Sequence, residues 1–191
     1  MIPKAVLLIL ATAAPAAPGA ELAAAARRQV GVTVRYDPSY RRLPYPGGDV
    51  PSDRGVCTDV IIRAYRALGL DLQQAVHEDM GRAPEAYPRH WGPGGRDASI
   101  DHRRVPNLAV YASRHGQSLP LSRDPGTYRA GDLVTWRLAS GLPHIGIVSD
   151  RRTAAGIPLV IHNIGWGAQE EDRLFAYTLT GHFRLPIPGR P

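Results

Sequence analysis

The chain has 191 residues, 43% of them hydrophobic, and carries a formal net charge of +6. That is enough for one sizeable core and too little for two, so one domain is expected. The positive balance suits an anionic neighbourhood such as cell wall or membrane surface, while the absence of a dense Lys/Arg stripe interleaved with aromatics argues against nucleic acid.

The opening residues, MIPKAVLLILATAAPAAPGAEL, combine Lys4, a short apolar run and small residues, the pattern of a cleavable export signal over residues 1–20. The run falls short of the ~20 residues usual for a bilayer span, so no stable membrane span is expected after cleavage. The mature chain, 21–191, is expected to be exported and monomeric.

ELAAAARRQV reads as a short helix and VTVRY as a strand ended by Asp37 and Pro38; residues 39–55, rich in Pro, Gly, Arg and Tyr, read as a long loop. From Cys57 onward, Val60, Ile61, Ala64 and Leu68 recur at helical spacing, and Gly69 is a stop signal. The first turn of this helix holds Cys57, Thr58 and Asp59. Residues 71–104 read as irregular, with Pro84, Pro88 and the turn cluster WGPGGRD. A second helix starts at Pro106, runs through NLAVYASRH and stops at Gly116. Four strand-like runs follow: DLVTWRL (132–138), HIGIVSD (144–150), IPLVIHNI (157–164, with Pro158 marking its start) and LFAYTLTGHFRL (174–185). Helices first and strands afterwards predict an α+β domain, its helices packed on an antiparallel sheet.

Cys57 is the only cysteine, and in an exported chain a leftover thiol points to reactivity or an intermolecular bridge. A thiol attacks as thiolate, which a helix N-terminus and a nearby imidazolium both favour. In isolation a small cysteine on a helix is commonly a buried hydrophobe; histidines in strands are what make the reactive reading attractive. Alternation puts His144, Gly146 and Val148 on one face of their strand and Ile145 and Ile147 on the other, and Gly146 leaves room for close approach of another group. His162 and Asn163 must point to opposite faces of the next strand, so only one of them reaches the side that His144 faces. Either can orient an imidazole, and the local pattern does not choose between them. His77, Asp79 and His90 match no metal-ligand spacing, and G-x-S-x-G and Walker patterns are missing; no metal and no cofactor are expected.

GVCTDVIIRAYRALG, RAGDLVTWRL, LPHIGIVSD and LVIHNIG, in that order, resemble the papain-like NlpC cell-wall cysteine peptidases. A closer resemblance, over roughly residues 30–185, is to an exported bacterial family known only as a domain of unknown function and grouped with those peptidases, carried by LPYPGGDVP, SIDHRRVPNL and LPHIGIVSD. It implies a papain-like NlpC-type fold with Cys57 as nucleophile, His144 as general base and acid, and His162, from its place in VIH, as the residue that orients His144. It also implies a bacterial periplasm or cell envelope as location. Tyr45, in PYPGG, resembles the tyrosine those enzymes place before the nucleophile loop. The chain departs from the peptidases' Asp-Cys-Ser-Gly, having Val56-Cys57-Thr58-Asp59. Asp59 brings negative charge to the thiol, and the 71–118 segment is longer than the peptidases need. Within that segment Asp101, His102, Arg103 and Arg104 form the densest polar group; Arg103 and Arg104 read either as a clamp for a substrate carboxylate or as an ion-pair cluster fixing the helix start. The implied activity is hydrolysis of an amide bond, foremost in peptidoglycan stem peptides or another anionic envelope substrate. The alternatives are a non-catalytic wall-binding or accessory protein, or an acyltransferase using the same three residues.

Overall fold

The computed structural model describes residues 17–89 and 95–189. Of the leader expected over 1–20, residues 1–16 lie outside that range, as do His90 and residues 91–94 of the turn cluster. Helix α1 (Pro18–Arg27) starts ahead of the expected residue 21 and ends short of Val30. Pro18 fits its first turn, where the missing N–H costs nothing. Gly19 docks so closely on the following chain that an added Cβ would lie 2.0 Å from the Ala130 carbonyl oxygen. Leu22, Ala23, Ala25 and Ala26 form the buried stripe of α1, and Arg27 at its end donates to Glu170 at 2.9 Å.

The strand expected from VTVRY shrinks to β1 (Arg35–Tyr36), which pairs in parallel with β2 (Arg54–Gly55). The valines before it find no sheet: Val30, Val32 and Val34 are exposed, and buried Thr33 gives its carbonyl to the Ala168 N–H at 2.7 Å. Helix α2 (Cys57–Arg66) follows the apolar spacing read above, and the chain leaves it through Gly69 at φ +93°, a left-handed conformation that favours glycine.

Residues 71–104 are not irregular throughout: α3 (Leu72–Arg82) occupies the first third. Asp71 accepts the Gln73 N–H at 3.1 Å as the helix cap, while Leu72, Val76 and Met80 recur at the four-residue spacing of a buried stripe. The Asp71→Ala protein is expected to lose about 1 kcal/mol of stability, read as a lower urea midpoint with unchanged slope; no change in midpoint would deny the cap its role. A single helical turn, Asp101–Arg103, precedes α4 (Val105–His115), whose Pro106 sits in the first turn.

Six strands form the main sheet: β3 (Gln117–Ser118), β4 (Leu133–Arg137), β5 (Pro143–Arg152), β6 (Pro158–Asn163), β7 (Ala168–Glu171) and β8 (Thr178–Arg184), in the spatial order β3-β8-β4-β5-β6-β7. All these pairings are antiparallel. Strand β7 lies outside the runs expected from the sequence, and the run expected from 174 starts its strand only at Thr178. Leu174 instead folds back with Tyr128 over the sheet face carrying Val134, Trp136, Val148 and Val160. The opposite face, with Leu133, Ile145, Ile147 and Ile161, packs against the helices, where Val60, Ile61 and Tyr65 of α2 are buried. The Tyr65 hydroxyl donates to the Leu185 carbonyl at 3.0 Å, anchoring α2 to the chain after β8. Among the described residues no helix is long and apolar enough to cross a membrane.

Candidate active site

The start of α2 is held from several directions. Val56, in extended conformation, precedes the helix, and its N–H is taken by the Asp59 carboxylate at 2.6 Å. A side chain at Gly55 would force this carboxylate to move, because a Cβ would lie 2.8 Å from Asp59 Oδ2. The same carboxylate receives both ends of the Arg103 fork, Nε and Nη2, at 2.9 Å each. Arg103 also donates to the carbonyls of Asp37 and Ser39, and the Thr58 hydroxyl donates to the Arg103 carbonyl at 3.0 Å. Asp59 and Arg103 are therefore a buried ion pair that fixes the helix start. Arg103, which also lines the neighbouring cleft, spends its hydrogen bonds on Asp59 and on the Asp37 and Ser39 carbonyls, as the ion-pair reading expects.

Cys57, the first residue of α2, lines a cleft of about 570 Å³ together with Tyr36, Arg104, Leu142 and His144. His144 comes from the start of β5, and its ring stacks on Trp136 with centroids 5.7 Å apart. Its Nε2 lies 2.7 Å from Nδ1 of His162 on β6, and His162 Nε2 lies 3.1 Å from Glu171 Oε1 on β7. Gly146 permits this approach: a Cβ there would be only 3.2 Å from the His162 Cβ and from the Trp136 ring. The pleat sends His162 and Asn163 to opposite faces. His162 turns to His144, while Asn163 turns to the helix side and donates to the Gly55 carbonyl at 3.0 Å, bracing the loop ahead of Cys57.

Tyr45 does not belong to this cleft. It packs edge-on against His77 with centroids 5.2 Å apart, and the tyrosine at the cleft is Tyr36. The pairing of β1 with β2 is what brings Tyr36 beside the loop ahead of Cys57, while Tyr45 lies on the 39–55 segment against His77. The other residue missed in the sequence is Glu171, in the polar stretch AQEE, whose only signal was its place across a turn from VIHN. His77 and Asp79 go to separate partners: His77 to Asp101 at 3.0 Å, Asp79 to Tyr87, Arg114 and His115. Among the described residues no group of three or more His, Cys, Asp or Glu is arranged to hold a metal ion.

Electrostatically the resting site is neutral. Burial pushes the Cys57 thiol up to about 12, the Asp59 charge adds to this, and the backbone amide of Ile145 opposes it. Burial, with a smaller contribution from His162, pushes His144 down to about 3. Thiol and imidazole thus face the cleft uncharged around neutral pH. Iodoacetamide alkylation of Cys57 in the folded protein is expected to be far slower at neutral pH than that of a free thiol, whose pKa is about 8.5, and to gain rate only as pH climbs toward 12. A rate plateau near or below pH ~8.5 would overturn that electrostatic picture.

The arrangement, a cysteine-headed helix against an antiparallel sheet, is that of papain-like NlpC-type folds. It is similar to NlpC1 from Trichomonas vaginalis, with a TM-score of 0.50 at 16% identity over 91% of this chain and 46% of that one, so the chain spans about half the length of that protein. NlpC2 from the same organism aligns over 90% of this chain and 48% of its own, with a TM-score of 0.49 at 16% identity. Residues 23–185 match the family described as "Domain of unknown function (DUF1287)", and the chain belongs to that family. It is 56% identical over 163 residues to "Uncharacterized protein YijF" of Escherichia coli (strain K12), covering 85% of this chain and 80% of that one.

Proposed function

We propose that the protein is an exported thiol hydrolase that cleaves an amide bond, with peptidoglycan stem peptides as its substrate class. The observation that carries this reading is the shared cleft: Cys57 at a helix N-terminus and His144 line it together, and His144 Nε2 is 2.7 Å from His162 Nδ1. In the proposed reaction His144 accepts the Cys57 proton as sulfur attacks the amide carbonyl carbon. Backbone N–H groups at the start of α2 receive the developing oxyanion. Collapse breaks the C–N bond, His144 returns the proton to the leaving amine, and an acyl thioester remains on Cys57. Water then attacks the thioester, giving its proton to His144, and the sulfur leaves as thiolate, which takes that proton back as the acid fragment is released. The +6 charge of the chain supports an anionic envelope partner. The test is release of amine and acid fragments from purified wall peptides by the mature protein and by Cys57→Ala.

A second reading, a non-catalytic wall-binding or accessory protein on the same fold, is favoured by one observation: Cys57 is only 5% exposed. Wall-peptide binding by the wild-type protein, unaltered in Cys57→Ala and unaccompanied by turnover in either, would support it.

A further inference from the structure

We propose that Glu171 is a positioning residue that, acting through His162, fixes the proton of His144 on Nε2 and leaves Nδ1 as the basic nitrogen. The inference gains its catalytic meaning from the reading above, but the proton positions are properties of the resting protein and are measurable without a substrate.

The argument is a count of donors and acceptors. An ionised carboxylate can only accept hydrogen bonds, so the hydrogen between Glu171 Oε1 and His162 Nε2, 3.1 Å apart, belongs to the imidazole. A neutral imidazole protonated on Nε2 has a lone pair on Nδ1, so His162 Nδ1 is an acceptor. The His144 nitrogen 2.7 Å away must then be the donor. His144 is thereby protonated on Nε2, and its Nδ1, the nitrogen not engaged by His162, is free to take a proton in the cleft. Burial lowers both imidazoles, so each carries a single proton around neutral pH. The reverse chain, with His162 donating from Nδ1, would turn a lone pair of His162 onto the carboxylate. It would also put the His144 proton on Nδ1, where the ring can no longer act as a base through that nitrogen.

Strand register explains how Glu171 comes to hold this position. Gln169 lies opposite His162 and Glu171 opposite Val160, so Glu171 is the diagonal neighbour of His162 on the same face of the β6–β7 pair. Its second oxygen takes the Arg173 Nε–H at 3.3 Å, which leaves Oε1 to the histidine. The side chain is about one-third exposed, so it can be changed without opening the core.

The test is long-range ¹H–¹⁵N correlation of histidine-labelled full-length protein near neutral pH. In wild type, both His144 and His162 are expected to give a pyrrole-type signal at Nε2 and a pyridine-type signal at Nδ1. In Glu171→Ala, loss of the acceptor is expected to move His144 Nδ1 from pyridine-type toward the averaged value of mixed tautomers. Glu171→Lys, which replaces an acceptor by a donor, is expected to move it further in the same direction, and Glu171→Gln, which keeps an acceptor oxygen, to stay near wild type. Backbone amide spectra establish that each variant is folded. A wild-type protein with His144 protonated on Nδ1, or wild-type tautomers retained in both Glu171→Ala and Glu171→Lys, would overturn the proposal. If the tautomers move as described and no amide is ever turned over, the positioning role stands and the hydrolase reading fails.

Discussion

Replacing Cys57 with alanine is expected to lower kcat/KM for amide cleavage by a factor of about 10⁴ or more, because the covalent route is lost and only binding and oxyanion stabilisation remain. His144→Ala is expected to lose about as much, and the double variant little more than either alone, since in the proposed reaction nucleophile and base act as a unit. The structure predicts that the alanine at position 57 leaves the fold in place: its side chain occupies the same cleft wall, and the helix start is held by Asp59, Arg103 and Asn163, none of which bonds the thiol in the arrangement described. The measurement is fragment release followed by mass spectrometry, paired with thermal melting of each variant. Equal turnover in wild type and Cys57→Ala would remove the thiol from the reaction and with it the hydrolase reading.

The largest stability effect is expected at Arg103. Its guanidinium and the Asp59 carboxylate are 2% and 3% exposed, so truncating the arginine leaves a carboxylate buried with no cation beside it. Removing one partner of such a pair costs about 3–5 kcal/mol, a large share of the ~5–15 kcal/mol that separates folded from unfolded domains. Arg103→Ala is therefore expected to shift the urea midpoint strongly downward. Arg103→Lys is expected to recover only part of the loss, because an ammonium cannot bond both Asp59 oxygens as a fork while also reaching the Asp37 and Ser39 carbonyls. Asp59→Asn combined with Arg103→Met is expected to be milder than Arg103→Ala, since no uncompensated charge remains. A midpoint for Arg103→Ala within experimental error of wild type would show that the pair is not the anchor of α2.

Much of the site was legible because it follows two short-range periodicities. The helical spacing from Cys57 to Leu68 and the two-residue alternation in β5 place Cys57 and His144 without any knowledge of distant contacts, whereas alternation in β6 only set His162 and Asn163 on opposite faces and the resemblance of VIH pointed to His162. What escaped was set by partners far along the chain. Asp59 looked like a lone charge beside a thiol, since the arginine that engages it lies 44 residues away. Helix α3 was obscured by its polar composition: Leu72, Val76 and Met80 are few among the polar residues of LQQAVHEDMGR, and the flanking prolines read as loop. Strand β7 has neither β-branched nor aromatic residues, so AQEE carried no strand signal, and Glu171 was overlooked with it. Tyr36 reaches the cleft through a parallel pairing with Arg54–Gly55 that no local pattern announces.

The buried, uncharged state of Cys57 bears on how long the protein survives with its single sulfur intact. Oxidants and disulfides react with thiolates far faster than with thiols. With the Cys57 pKa near 12, on the order of one molecule in 10⁵ carries the thiolate at neutral pH. A thiol held this way resists sulfenic acid formation and mixed-disulfide capture, and in the proposed reaction its sulfur turns nucleophilic only as His144 takes the proton beside a bound ligand.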